Sequence, residues 1–92
     1  MAEIEVKRDG AALVFDVAVR EGRSETRHRV TISEAMLAQI RGARALSAEE
    51  VIRACFRFLL AREPKESILP RFDVSAIGRY FPEFEREIAE EL

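Results

Sequence analysis

The sequence is poor in the residues that cross-link or catalyse. It holds one cysteine, one histidine and no tryptophan among 92 residues. The single Cys55 excludes an intrachain disulfide and a cysteine-based zinc site. No apolar run approaches the ~20 residues that span a bilayer, and the first residues lack the basic start and apolar run of a signal peptide. We therefore expect a cytoplasmic protein with no membrane partner.

Candidate catalytic groups are equally sparse. His28 falls in phase with inward-facing strand positions, and Cys55 falls on the apolar face of a helix, where burial makes a thiol inert. The four glycines stand singly, which excludes a glycine-rich phosphate loop, and the C-terminal carboxylates lack the spacing of a calcium loop. We predict no catalytic residue, no cofactor and no metal. A small enzyme or ligand-binding domain stays an alternative, and it would need a polar pocket near His28 or Cys55.

Composition and charge favour one ordinary globular domain. Hydrophobic residues make up 48% of the chain and charged residues 35%, which suffices for a single core over residues 1–92. Residues 1–62 carry eleven Lys/Arg against nine Asp/Glu, whereas residues 63–92 carry four against eight. A net charge of −2 gives no general attraction to nucleic acid.

The chain is organised around a long amphipathic helix predicted for Leu46 to Arg62. Ser47 and Glu50 have the spacing of a capping box, and Leu46 with Val51 has that of a hydrophobic staple. At 3.6 residues per turn the apolar positions cover more than half of the circumference. Such a helix must be covered on two sides, so the segments before and after it should both pack against it.

Three alternating runs precede this helix, over residues 3–8, 11–20 and 24–32. They predict an antiparallel meander, with two-residue turns at Asp9-Gly10 and Glu21-Gly22.

The predicted turns fix the pairing of the strands. Val6 should lie opposite Leu13, and Leu13 opposite Val30. Asp16 should sit across from Arg27 on the wet face.

Shorter helices are predicted on either side of the central one. Thr31 or Ser33 can cap a helix from Glu34 to Arg41 that Gly42 closes. Beyond Pro64 the chain is interrupted by further prolines. The many large apolar residues of this segment should cover the second side of the central helix. The predicted fold class is α+β, a three-stranded antiparallel meander (1–32), two helices (33–62) and a helical tail (63–92), with the helices packed on one face of the sheet.

Two resemblances add to this interpretation. A strand with outward Arg27, Arg29 and Thr31, then a helix, a glycine and a Ser-capped helix, resembles the ribbon-helix-helix DNA-binding family over residues 26–62. The resemblance implies a dimer whose paired strands enter the major groove. The same residues are also explained by a solvated outer face with an Asp16–Arg27 pair.

The second resemblance lies in the C-terminal third. The run Glu-Pro-Lys-Glu-Ser-Ile-Leu-Pro-Arg-Phe-Asp from Glu63, followed by Arg-Tyr-Phe-Pro-Glu from Arg79, is similar to a pattern that ends many small bacterial proteins of unassigned function. It implies a bacterial, cytoplasmic, stand-alone domain and carries no activity, cofactor or substrate.

The leading hypothesis is a non-catalytic protein-interaction or assembly module. Catalytic groups are few, the tail is rich in aromatic residues, and two sheet edges are open to another strand, from a protein partner or a second copy in a homodimer. A dimeric DNA-binding regulator is the alternative. The candidate surface for a partner or for DNA comprises Lys7, Val14, Arg27, Arg29 and Thr31. The candidate groove between tail and central helix comprises Ser67, Arg71, Asp73, Arg79 and Tyr80.

Overall fold

Alternating apolar and polar residues build the strands, and a 3.6-residue apolar period builds the two longest helices. The computed structural model describes residues 2–92. The strands are β1 (Glu3–Arg8), β2 (Val14–Glu21), β3 (Ser24–Thr31) and β4 (Arg71–Asp73). The α-helices are α1 (Glu34–Arg41), α2 (Ala48–Leu60), α3 (Ile77–Tyr80) and α4 (Phe84–Glu87), and single 3₁₀ turns occupy Lys65–Ser67, Val74–Ala76 and Ile88–Glu91. No helix among these described residues is both long enough and apolar enough to cross a membrane.

The α+β class and the antiparallel order of the first three strands are confirmed, but the sheet has a fourth strand. Its order is β1-β2-β3-β4, and β4 runs parallel to β3. The three-residue β4 pairs Arg29–Thr31 with Arg71–Asp73. The prediction of a wholly helical tail was therefore wrong. So short a segment, bounded by Pro70 and a helical turn, carries too little alternation to be recognised as a strand.

The register of the first hairpin also differs from the prediction. Val6 lies opposite Val17 rather than Leu13, because the loop between Asp9 and Val14 is four residues long instead of a two-residue turn. The Arg8 guanidinium donates to the carbonyls of Ala11 and Ala12, which stabilises the longer loop.

The second hairpin is displaced by two residues. Its two-residue turn is Gly22-Arg23, with Gly22 at a φ of 58°, a conformation that glycine accepts readily. Asp16 consequently faces Arg29 rather than Arg27. Both displacements are even in number, so every side chain keeps the face that alternation predicted.

Both long helices begin where the sequence indicates. The Ser33 side chain accepts from the amide of Met36, and Gly42 closes α1 at a φ of 59°. The capping box at Ser47 and Glu50 is present in full at the start of α2. These caps satisfy amides that would otherwise lack partners at the helix ends.

Helix α2 is covered on two opposite sides, as predicted. Phe56 points to the sheet, where its ring centroid lies 5.4 Å from that of His28 and 6.0 Å from that of Phe72. Phe58 points the other way and contacts Phe84 and Phe81 of the tail, with centroids 5.0 and 6.0 Å apart. The sheet, α2 and the part of the tail that follows β4 therefore form successive layers.

A single arginine fastens the tail to the end of α2. The Arg62 guanidinium donates to Glu83 and to Glu87, at 3.0 Å each, and to the carbonyl of Phe58 at 3.1 Å. It also lies 3.6 Å from the centre of the Phe58 ring. This network sets where α4 sits on α2.

Replacing Arg62 with alanine should lower the free energy of unfolding by about 1–3 kcal/mol, because Glu83 and Glu87 lose their shared cation. Urea denaturation measures the change. Arg86→Ala is the matched control, since Arg86 also pairs with Glu87 but has a side chain that is 77% exposed. Equal losses for the two variants would contradict the role assigned to Arg62.

Candidate functional site

The sheet face turned away from α2 carries most of the predicted partner surface. Lys7, Arg27 and Arg29 line a broad depression of about 680 Å³ on this outer face. Val14 and Thr31 are neighbours across β2 and β3 and do not line the depression. The structure therefore groups three of the five predicted residues around one concavity.

Four of the five cations that line this depression are already paired with carboxylates. The Arg29 guanidinium donates to Asp16 at 2.9 Å and also to Asp9. Arg27 donates to Glu25 at 2.8 Å. The hydrogen bond from Arg20, opposed by burial and aided by Arg27, holds the pKa of Glu25 below its ordinary value. Of the five cations that line the depression, Arg71 is the one with no carboxylate within ion-pairing distance among residues 2–92, so the outer face keeps one unpaired positive charge.

The position of β3 bears on the ribbon-helix-helix resemblance. In that family one strand from each chain pairs with its equivalent. Here Arg29–Thr31 pairs with β2 on one side and with β4 on the other, and the Arg29 amide donates to the carbonyl of Pro70. A second chain cannot pair with β3 at these residues.

A second concavity lies where the tail meets the end of α2. It has a volume of about 210 Å³, and we call it the tail groove. Its lining includes Leu59, Glu63, Leu69, Phe72, Tyr80 and Phe81. Leu59 belongs to α2, and the other residues follow it in the chain, so the groove exists because the tail folds back over the helix.

The tail groove collects the exposed apolar groups of the chain. Leu69 and Tyr80, 45% and 68% exposed, are the large hydrophobic residues that the part of the chain from 2 to 92 leaves open to water. Phe72 and Phe81 are half-buried beside them. Leu69 and Tyr80 both belong to the large apolar residues of the tail that were predicted to cover α2, and for these two the prediction was wrong, since they stand at the rim of the groove.

His28 bonds to the backbone of Leu69, which forms one wall of the tail groove. Because a carbonyl can only accept, the ring Nδ1 carries the hydrogen and donates to the Leu69 carbonyl at 2.8 Å. The ring Nε2 lies 2.8 Å from the Thr26 hydroxyl. The predicted inward phase of His28 is confirmed, and its side chain is almost fully buried.

The predicted groove residues divide into two groups. Ser67 and Tyr80 line the tail groove, whereas Arg71, Asp73 and Arg79 lie outside it. The strand β4 turns Arg71 toward the depression of the outer face. Asp73 accepts from the Thr31 hydroxyl and caps the following turn, and the charge of Arg79 acts on it.

Glu63 and Leu69 were not singled out from the sequence as groove residues. Glu63 follows the end of α2 and precedes a proline, which is the only sequence signal that the chain turns there. Burial raises the pKa of the Glu63 carboxyl above its ordinary value. Among residues 2–92 no Lys or Arg lies within ion-pairing distance of it. The tail groove therefore combines apolar walls with one uncompensated carboxylate.

His28 and Cys55, near which an enzymatic site would have to lie, both have structural roles in the core. Both ring nitrogens of His28 have partners in Leu69 and Thr26. Cys55 is buried, and its burial raises the pKa of the thiol to about 12. Over the described chain, no three side chains of the metal-binding types cluster.

Comparison of the chain with family models, curated proteins and solved structures gives no match. The interpretation of the two concavities consequently depends on their own geometry.

The hydrogen bond between Thr31 and Asp73 gives a pH-dependent test of how β4 is held. Burial alone would raise the pKa of Asp73, but the bonds from Thr31 and Ser75 lower it below its ordinary value. The stabilisation that follows is present above the pKa of the unfolded state and is lost as pH falls through the folded pKa. Thr31→Val should lower the free energy of unfolding by about 1 kcal/mol at neutral pH.

In urea titrations at several pH values, the difference between the wild type and Thr31→Val should shrink toward acid pH. Thr31→Ser keeps the hydroxyl and serves as the control. A difference that stays constant into acid would show that the valine acts through packing and not through Asp73.

Proposed function

We propose that this chain is a non-catalytic protein-interaction module that binds a partner polypeptide in the tail groove. The observation that carries the proposal is that Leu69 and Tyr80, the two large exposed hydrophobic residues, line the same concavity. Exposed apolar groups gathered in one concave place are typical of a binding site, whereas the same groups scattered over a surface are not. We infer a bacterial cytoplasmic setting from the sequence-level expectations alone.

The size of the groove favours one anchor side chain. An apolar cavity of about 150 Å³ is enough to hold benzene. At about 210 Å³ the tail groove fits a single leucine, methionine or phenylalanine side chain, with the half-buried Phe72 and Phe81 beside it. An anchor residue in a pocket with a polar rim is the usual energetic centre of a peptide interface.

The charge in the groove favours a basic neighbour for that anchor. Glu63 is uncompensated and partly desolvated, so a cation placed beside it would gain more than one beside a fully hydrated carboxylate. We therefore expect the partner segment to carry lysine or arginine next to the apolar anchor. Binding should strengthen as pH rises through the pKa of Glu63, because the carboxylate form makes the contact.

The outer face of the sheet supports an interface less well. An incoming protein would have to displace Asp16 from Arg29 and Glu25 from Arg27 before it could use either arginine. Pairs already made between exposed groups add little to a new interface. For the same reason, and because β3 is flanked by two strands at Arg29–Thr31, we do not favour the DNA-binding alternative.

A selection from a random peptide display library tests the proposal. The wild-type chain should enrich peptides with a large apolar residue adjacent to lysine or arginine. A Leu69→Ala/Tyr80→Ala variant should bind the selected peptides at least about tenfold more weakly, because the groove loses its apolar rim. Fluorescence polarisation with one labelled selected peptide measures the affinity.

Two controls sharpen the selection. Lys7→Ala/Arg27→Ala alters the outer face and should leave the affinity unchanged. Glu63→Gln should weaken binding of a basic peptide and remove its dependence on pH. If selected peptides lost affinity with the outer-face variant and kept it with the groove variant, the tail groove would not be the binding site.

A further inference from the structure

The outer edge of β1 is open and has a defined pattern of backbone groups. Within residues 2–92, β1 pairs with β2 alone. The Asp9 amide donates to the Val14 carbonyl, so the alternate residues of β1 that share its phase also bond to β2. It follows that the amides and carbonyls of Ile4, Val6 and Arg8 point away from the sheet.

One group on this edge already has a partner. Arg53 of α2 donates from Nε to the Ile4 carbonyl at 3.3 Å. A carbonyl oxygen has two lone pairs, so this long contact leaves room for a second donor. The side chains of Ile4 and Val6 are half-buried on the core side of β1, which leaves apolar surface at the edge for another strand to cover.

We propose that β1 pairs antiparallel with β1 of a second copy, with Val6 opposite Val6, to form one continuous eight-stranded sheet across a two-fold axis. Outward-pointing residues must face each other for the backbone bonds to form. The neighbouring allowed registers centre on Glu5 or on Lys7, and each would place like charges opposite one another.

The register centred on Val6 places opposite charges next to its centre, and at each end it brings Glu3 opposite Asp9, whose charge Arg29 already pairs. It places Glu5 of each copy opposite Lys7 of the other, and the two-fold axis makes this pair twice. Both side chains lie on the outer face and are open to a partner, being 46% and 75% exposed. Within one copy Lys7 lies 3.8 Å from Glu5, and Glu5 lies 3.5 Å from Arg20, so the pair across the axis gives each Lys7 a second carboxylate and selects the register more than it adds affinity. The two valines meet on the core side of the new sheet.

Sedimentation velocity over a wide concentration range tests the dimer. The wild type should shift from monomer to dimer as concentration rises. Val6→Pro should abolish the shift, because proline removes the outward amide at the centre of the register and leaves the β1–β2 bonds intact. Val6→Ala keeps the amide and should still dimerise.

A charge swap tests the register and does not require that β1 fold normally with a proline at position 6. Lys7→Glu should raise the dimer dissociation constant about tenfold, because two attractive pairs become repulsive. Glu5→Lys with Lys7→Glu restores opposite charges and should return the constant to within about threefold of the wild type. Circular dichroism confirms that each variant is folded.

A wild type that stays monomeric at millimolar concentration would overturn the proposal, as would a dimer that neither Val6→Pro nor Lys7→Glu weakens. Binding of peptides in the tail groove is a separate measurement, so the failure of one proposal leaves the other testable.

Discussion

The fold depends on the need to bury α2 on two opposite sides. Phe56 and Phe58 are two positions apart and therefore point nearly opposite ways on a helix. One meets the sheet and the other meets the tail. A chain of this length cannot leave either face in water without losing much of its only core. The sheet buries one face of α2, and the tail buries the other.

The tail groove exists because of the way in which the tail covers α2. The tail is short and interrupted by prolines, so it covers α2 with isolated side chains rather than with a continuous helix face. Phe84 and Ile88 are buried in the core, whereas Leu69 and Tyr80 stay exposed at the rim of the tail groove. A partner that fills the groove would complete the burial that the tail begins.

The sequence predicted the strong periodic features and missed those that depend on tertiary contacts. The helix bounds, the capping box and the inward faces of the strands all follow from local patterns. The exact pairings do not, because the Arg8 contacts and the glycine conformation at Gly22 choose the loop lengths. The short β4 pairs with the edge of β3, and His28 bonds to the carbonyl of Leu69 just before it; neither contact is readable from local sequence. The same tertiary contacts place Leu69 at the groove and Arg71 on the outer face, so the membership of the groove could be predicted only in part.

Native-state amide hydrogen exchange tests the two-sided burial of α2 most directly. If the tail is an essential cover, the amides of Phe81 and Glu87, which bond within the tail, should exchange with free energies within about 1 kcal/mol of those in the middle of α2. Tail amides that exchange several kcal/mol more easily, while α2 keeps the protection of global unfolding, would contradict the account.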